Sequence, residues 1–399
     1  MNFLITLFSF FISFVATATG TTNFDYNKEG YLTQAKYADG STTNRYPDQK
    51  GNLYEDANFK DREYTHGGKL VKKGSWHYKY NHQGFLTEKY KKTGSLFSFK
   101  EDQWYYDWNT AGLLEAVKRP DGFVVKFTYD ALGRRLTKTY KQTTTNWVWD
   151  GNVPLHEWKG FVSKDALSEN LITWVFEEDS FSPIAKLRGE KKYSILADHL
   201  GTPIEAYADD GNLVWSRELN ANGKVLKETG IQNFCPFLYQ GQSLDNEIEL
   251  AYNRFRYYDV EDGRYISQDP IGLLSGEFGF YNYVRNSNLF VDILGLIANG
   301  STSFIGDALH PSTLADKTFE ITATGNYYDD KKALYKAAGI KESFSNEWIS
   351  HHVSYDPSTN KMTMQLVKES DHRRIKHVGG VKEYEDHHQT KYKRNSYSK

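Results

Sequence analysis

The residues best equipped for chemistry are four histidines near the end of the chain. His351 and His352 are adjacent and close a short β-type run that begins near Glu347. A turn-rich gap follows (Asp356, Pro357, Ser358, Thr359, Asn360), then a second strand-like run over 362–367. His372 and His377 lie five residues apart in a charged segment that Gly379-Gly380 ends. Imidazole is the commonest metal ligand and also a general base near neutral pH. Neighbours on a strand point to opposite sides, so one of the adjacent pair can face a metal while the other faces a substrate water. At five apart, two residues sit roughly 140° round a helix, so His372 and His377 reach one ion only where the helix is loose or ends between them. Six of the 12 histidines fall between 351 and 388, which argues against chance. The chemistry this pattern supports is metal-assisted hydrolysis; packed or surface histidines are the alternative.

The elements that must position these groups are strand, turn, strand and helix, in that order. With Trp348, His351-His352 and Met364-Gln365-Leu366-Val367, residues 347–380 resemble the HNH (His-Me finger) nucleases, in particular the toxin subgroup with a Trp-His-His-like first motif. The resemblance implies a small α+β domain in which a ββα-metal motif grips one divalent ion against a scissile phosphate. Zn, Mg, Ni and Mn are not distinguished. By position His352 is then the general base, and His351, His372 and His377 are the metal ligands. The sequence departs from that pattern twice. The central Asn has no clear counterpart, Asn360 and Gln365 both being candidates to pin the loop, and Ile349-Ser350 separate Trp348 from the His pair. Arg373, Arg374 and Lys376 crowd the same segment, where they either hold phosphates or form a solvated helix face.

The length of 399 residues suggests two or three domains. With 49 Lys and Arg against 51 Asp and Glu, the whole chain is not a polyanion binder. Residues 297–399 are mildly basic, with 15 Lys and Arg against 13 Asp and Glu. The single cysteine, Cys235, excludes an intramolecular disulfide framework. Residues 3–15 are apolar and Ala16-Thr17-Ala18 resembles a cleavage site, which reads residues 1–20 as a secretory signal peptide. No Lys or Arg precedes the run, and the alternative is the start of a truncated reading frame. The run is too short for a comfortable membrane span.

From residue 21 to 215 one unit recurs: an aromatic, a Gly four residues on, a Leu two further. It appears at Tyr26/Gly30/Leu32, Tyr64/Gly68/Leu70, Tyr80/Gly84/Leu86, Trp108/Gly112/Leu114 and Tyr207/Gly211/Leu213. Tyr129/Gly133 carries Leu136 one place late. This is a hairpin signature, with Gly at a positive-φ position and aromatic and Leu packed across the pair. One hairpin cannot bury its own face, so the series predicts an extended or wrapped β-sheet. Trp147 and Trp149, flanking Val148, read as one face of a strand. A helix is expected over 329–340, with acids first and Gly339 near its end. His387-His388 and residues 391–399 read as a frayed basic end.

The hairpin units resemble YD repeats, Tyr129-Asp130-Ala131-Leu132-Gly133-Arg134 being the closest copy. Asp198-His199-Leu200-Gly201-Thr202-Pro203, residues 253–259, residues 263–273 and Asp292-Ile293-Leu294-Gly295-Leu296 are similar to the RHS core. His199 sits in a turn-rich motif and reads as structural. The likeness covers residues 23–296 and implies a mainly β fold in which a β-shell encloses a toxic C-terminal segment. In that family the protein cuts itself with two aspartates that share a proton. Asp269 and Asp292 match those positions, and Arg256 matches the arginine beside them, so cleavage is expected after Leu296. Ile293 replaces the usual Pro, and both aspartates can also simply start turns.

The resulting expectation is a polymorphic toxin: residues 1–20 as leader, 21–215 as YD-repeat region, 216–296 as RHS-associated core and 297–399 as nuclease. Its partners are nucleic acid (DNA favoured over RNA), a cognate immunity protein and a secretion apparatus, without a stable membrane span. It is secreted or delivered from a bacterial cell and acts in the target-cell cytoplasm. The contrasting reading is a surface adhesion or scaffold protein whose terminal histidines hold a structural zinc.

Overall fold

The computed structural model describes residues 14–17, 20–28, 31–93, 99–161, 171–178, 180–272, 279–288, 290–296, 318–340, 348–357, 359–368 and 380–393. The chain divides into two compact units, residues 1–177 with 181–299 and residues 178–180 with 300–399.

In the first unit, sixteen strands from Arg62–Tyr64 to Val225–Gly230 form one antiparallel meander, each pairing with its neighbours in sequence. The sheet thus runs past residue 215. One turn recurs along it. The Asp130 N–H donates to the Arg134 carbonyl at 2.9 Å, and the Gly133 N–H returns to the Asp130 carbonyl at 3.0 Å. The Asp130 carboxylate accepts the N–H groups of Leu132 and Arg134 at 2.9 and 2.8 Å. Gly133 has φ of 75°, the left-handed residue of a type I turn with a one-residue bulge. The same pattern recurs at 81–85, 109–113, 198–202 and 220–224. Asp or Asn therefore opens the turn, and Gly closes it.

The aromatic and the Leu of each unit are register partners: Tyr26 with Leu32, Tyr64 with Leu70, Tyr80 with Leu86, Trp108 with Leu114, and Tyr207 with Leu213. The aromatics also bind backward. Trp108 Nε1 donates to the Leu86 carbonyl at 2.7 Å, Tyr129 Oη to that of Leu114 at 2.6 Å, and Trp149 Nε1 to that of Arg135 at 2.8 Å. These three hairpins are thereby stitched to the ones before them, and the polar tip of a half-buried ring is satisfied. Trp147 is buried and Val148 exposed, while Trp149 packs on the core beside Tyr252.

One repeat departs from the sequence reading. At Tyr129/Gly133 the register partner of Tyr129 is Arg135, and Leu136 faces outward. The Leu is not displaced; a buried arginine occupies its place. Arg135 pairs with Asp245 and stacks on Trp147 and Tyr252. Asp245 lies on the edge of a second, four-stranded sheet, built from Ser243–Asp245, Leu250–Asn253, Arg256–Asp259 and Arg264–Tyr265. The meander wraps this sheet. Trp104, Tyr106, Leu114, Val117, Val125 and Phe127 pack on Ile248, Leu250, Tyr252, Tyr257 and Ile266. Buried ion pairs add to the contact: Lys138 with Asp245 at 2.9 Å and Lys89 with Asp259 at 2.9 Å.

Of the expected leader, residues 1–13, 18 and 19 lie outside the described set. Phe14–Thr17 forms a strand paired antiparallel to Gly20–Tyr26. Cys235 is buried as a free thiol. His199 Nε2 meets the Asn288 carbonyl at 2.9 Å, a structural contact.

In the second unit, Lys361–Lys368 lies between Phe319–Thr322 and Trp348–Asp356 in a three-stranded antiparallel sheet. Helix Tyr327–Ala337 starts two residues earlier than the expected 329, because the Asn326 side chain caps it by accepting the Tyr328 N–H at 2.9 Å. Helix Gly380–His388 begins where the sequence pattern placed a stop. The two helices and one sheet face enclose Ile321, Leu334, Tyr335, Tyr355, Met362, Met364, Leu366 and Tyr392, with Val381 and Tyr384 against them. The expected frayed end at His387-His388 is corrected. His388 is in the last turn of its helix, with Nε2 2.8 Å from the Tyr355 hydroxyl, and Tyr392 beyond it is buried.

Candidate functional site

Two clusters of titratable groups merit a functional account, one in each unit.

The first is built on the four-stranded sheet. Arg256 opens the strand Arg256–Asp259, and Tyr265 ends Arg264–Tyr265. Asp269 follows in the turn after that strand. Its carboxylate accepts the Ile271 N–H at 3.0 Å, as a turn-opening aspartate does. Arg256 Nη2 lies 3.4 Å from Asp269 Oδ2 and 3.0 Å from Asp292 Oδ2, so one guanidinium nitrogen bridges both carboxylates. Asp292 Oδ2 also accepts the Tyr265 hydroxyl at 2.9 Å, and Asp292 Oδ1 accepts the Leu296 N–H at 3.0 Å. Arg256 Nε donates to the Gly295 carbonyl. All three charged groups are buried, at 1, 6 and 2 % exposure for Arg256, Asp269 and Asp292.

The segment 292–296 is held tightly. Asn253 Nδ2 donates to the Asp292 carbonyl at 2.8 Å, and Phe255 N–H to that of Leu294 at 3.3 Å. A Cβ on Gly241 would stand 1.9 Å from the Ile293 carbonyl oxygen, so only glycine admits this approach. The Ile293 side chain is half-buried. Burial pushes the Asp269 carboxyl up to about 6; Arg256 and the Ile271 N–H oppose the rise, and the charge of Asp292 adds to it. Asp292 instead meets three donors, Arg256, Tyr265 and the Leu296 N–H. The three residues singled out in the sequence, Arg256, Asp269 and Asp292, are therefore neighbours, and they sit against Leu296.

The second cluster lies on the strand Trp348–Asp356. That strand does not close at the histidines, as the sequence pattern suggests, but runs four residues further, and His351 and His352 are mid-strand and buried. They point to opposite faces, as strand geometry requires: His351 pairs across the ladder with Gln365, and His352 with Met364. His352 Nε2 lies 3.1 Å from Asp330 Oδ2. The same carboxylate accepts the Tyr392 hydroxyl, and its other oxygen takes the Thr324 N–H at 3.0 Å and hydroxyl at 2.6 Å. Burial raises the Asp330 carboxyl, but these hydrogen bonds from His352, Thr324 and Tyr392 outweigh it and hold it below its ordinary range. Asp330 also lies in the first turn of its helix, where the dipole favours a negative charge. Tyr327 and Tyr392 pack edge-on to the His352 ring. A carboxylate on Nε2 sets the tautomer in which Nδ1 is the basic nitrogen.

Sequence reasoning missed Asp330 and Tyr392. The first was visible only as one of two acids opening a helix, and the second was assigned to a frayed end. Of the two loop-pinning candidates, Asn360 is in the turn, at φ 54°, and accepts the Tyr355 hydroxyl at 2.9 Å; Gln365 is a buried mid-strand residue beside His351. His372, His377, Arg373, Arg374 and Lys376 lie outside the described residues. Among the described residues no three His, Cys, Asp or Glu side chains gather closely enough to hold a metal; of the expected ligands, these residues include His351 alone. Among the same residues no helix is long and apolar enough to cross a membrane.

Comparison with known proteins places the first unit. The chain is 29% identical over 311 residues to the double-stranded DNA deaminase toxin A of Burkholderia cenocepacia (strain H111), covering 69% of this chain and 21% of that protein. It is 30% identical over 249 residues to the probable deoxyribonuclease RhsB of Dickeya dadantii (strain 3937), covering 60% and 17%. Among solved structures, TcdB2-TccC3-TEV matches 69% of this chain and 17% of that one, at 17% identity and a TM-score of 0.43. The chain thus spans about a fifth of the length of these two curated relatives. The teneurin YD-shell family model matches residues 7–276, from within the apolar N-terminal stretch to just past Asp269, and the chain therefore belongs to the YD-shell family.

Proposed function

We propose that this chain is part of a polymorphic toxin whose YD-shell core cuts itself after Leu296 and frees residues 297–399 as an HNH-type nuclease. The observation that carries the first half is the buried Arg256–Asp269–Asp292 cluster with the Leu296 N–H on one of its carboxylates. In this reading ionised Asp292 takes a proton from a water that attacks the Leu296 carbonyl carbon. Protonated Asp269 gives its proton to the Ile297 nitrogen as the C–N bond breaks. The products are a Leu296 carboxylate and an Ile297 amine, and Arg256 holds both aspartates in register.

The nuclease half rests on the sequence resemblance and on the Asp330–His352 contact, which orients an imidazole as a base. His352 activates the attacking water. His351, His372 and His377 would hold a divalent ion, which supplies polarisation of the phosphate, and Arg373, Arg374 and Lys376 would hold neighbouring phosphates. DNA is the favoured substrate, because two relatives carry DNA-directed names, a deaminase and a deoxyribonuclease. Those two names denote different chemistries, so the shell does not dictate the reaction of its C-terminal partner. A toxin of this kind calls for delivery from the producing bacterium, action in the target cytoplasm and an immunity protein. The test is to express the chain with its N-terminus tagged, identify fragments by mass, and incubate the product with supercoiled plasmid, with and without Mg²⁺ or a transition metal. A new amine at Ile297 and metal-dependent nicking support the two halves. A zinc-holding scaffold would contain metal but neither cut nor be cut.

A further inference from the structure

The self-cleavage cluster contains two groups that the aspartate pair and its arginine do not account for. Tyr265 is fully buried, at 0 % exposure, yet its hydroxyl is engaged on both sides. It donates to Asp292 Oδ2 at 2.9 Å and accepts from Asn253 Nδ2 at 2.7 Å. Asn253, also at 0 % exposure, donates to the Asp292 backbone carbonyl at 2.8 Å. The Tyr265 ring lies under the Arg256 guanidinium, 3.6 Å from its carbon to the ring centroid. One amide therefore grips the Asp292 backbone and, through the tyrosine, the Asp292 side chain. Two strands of the central sheet fix both ends of that aspartate.

We propose that Asn253 and Tyr265 are positioning residues for self-cleavage, an inference that rests on the reading of Asp292 as base. The hydroxyl of Tyr265 orients the Asp292 carboxylate and keeps it ionised, and Asn253 fixes the hydroxyl so that its proton points at Asp292. The physical argument is one of direction. A phenol can rotate its proton toward either neighbour, but Asn253 presents a donor, so the phenol proton must go to the carboxylate. A hydrogen bond to the charged form favours that form, and a carboxylate held by a second group loses less orientation on reaching the transition state. Among the described residues, the groups facing Asp292 include Arg256, Asp269 and Tyr265, with the Tyr283 hydroxyl 3.4 Å from its backbone N–H and Tyr258 packed against Tyr265 and Tyr283. Of these, Tyr265 alone supplies a neutral side-chain donor to the Asp292 carboxylate among the described residues, so it can be removed without altering the charge of the cluster.

The experiment uses the full chain made by pulse-labelled cell-free synthesis, then shifted to buffers from pH 4 to 8 while the cut fraction is followed. Tyr265→Phe keeps the ring under Arg256 and removes only the hydroxyl. We expect cutting to slow about 10- to 100-fold and the acidic limb of the pH profile to move up, with the melting temperature of the uncut chain little changed. Incorporating 3,5-difluorotyrosine at 265, a stronger donor of nearly the same shape, should move the same limb the opposite way. It also covers the case in which Tyr265→Phe fails to fold. Unchanged rate and unchanged limbs in the folded variants would overturn the positioning role and leave Tyr265 as packing. A wild-type chain that is never cut, or an Asp269→Asn chain cut as fast as wild type, would instead remove the self-cleavage reading itself.

Discussion

The sharpest single perturbation is Asp269→Asn. The amide has the shape of the carboxylate, and its oxygen can still accept the Ile271 N–H, a 3.0 Å contact in the native turn. Arg256 retains its shorter pair with Asp292, 3.0 Å against 3.4 Å to Asp269, so no buried charge is left alone. The fold should therefore survive. The lost property is a dissociable proton: the Asp269 carboxyl is pushed up to about 6, chiefly by burial, so about half of the molecules carry that proton at pH 6 and about a tenth at pH 7. An acid in this position contributes about 10²- to 10⁴-fold to a bond-breaking step. Cutting after Leu296 should fall by that factor, and the wild-type rate should decline above pH 6 as the acid is lost. Timed gels of the labelled chain, with mass analysis of the fragments, measure both. Cutting of the amide variant at the wild-type rate would refute the assignment, as would a wild-type rate that keeps climbing from pH 6 to 8.

The same carboxyl makes a stability prediction. Its folded pKa lies above its unfolded value, so the native state holds the proton more tightly. Its unfavourable contribution is absent below about pH 4, grows between about 4 and 6 and is complete above 6, where two units correspond to about 3 kcal/mol. Uncut wild-type chain should gain stability relative to Asp269→Asn as pH falls through that window, and a parallel pair of melting curves would contradict this. Asp245→Asn strips the buried Arg135 of its carboxylate and should cost about 3–5 kcal/mol, read by denaturant unfolding; a cost under about 1 kcal/mol would show that the pair does not anchor the meander to the central sheet. Gly241→Ala places a Cβ against the Ile293 carbonyl at a residue with φ of 84°, and should both destabilise the unit by about 1–3 kcal/mol and slow cutting. His352→Ala should reduce plasmid nicking by about 10²-fold or more and Asp330→Asn by less, with chelator abolishing it; nicking that survives His352→Ala rules out that imidazole as the base.

The chain's local rules were legible in its residues. A turn that needs one left-handed residue and one side-chain acceptor announces itself as Asp or Asn followed by Gly three places on. The aromatic–Leu pairing follows from the alternation of a strand. Those constraints act over a few residues, so they survive in the linear order, and they sufficed to mark the wrapped β architecture. Motif position likewise marked Arg256, Asp269 and Asp292 as candidates, although they span 37 residues.

Tertiary structure decided what depends on distant partners. Arg135 takes a leucine position because Asp245, 110 residues away, faces it, and no hairpin rule foresees that exchange. His352 meets Asp330 and Tyr392 only because a capped helix and the segment after the last helix pack on the sheet. Tyr265 becomes more than a core aromatic once Asn253 and Asp292 bracket its hydroxyl. Local backbone preference is encoded residue by residue, whereas the worth of a buried polar group depends on which partner removes the cost of taking it out of water, and that partner is brought near only by the fold.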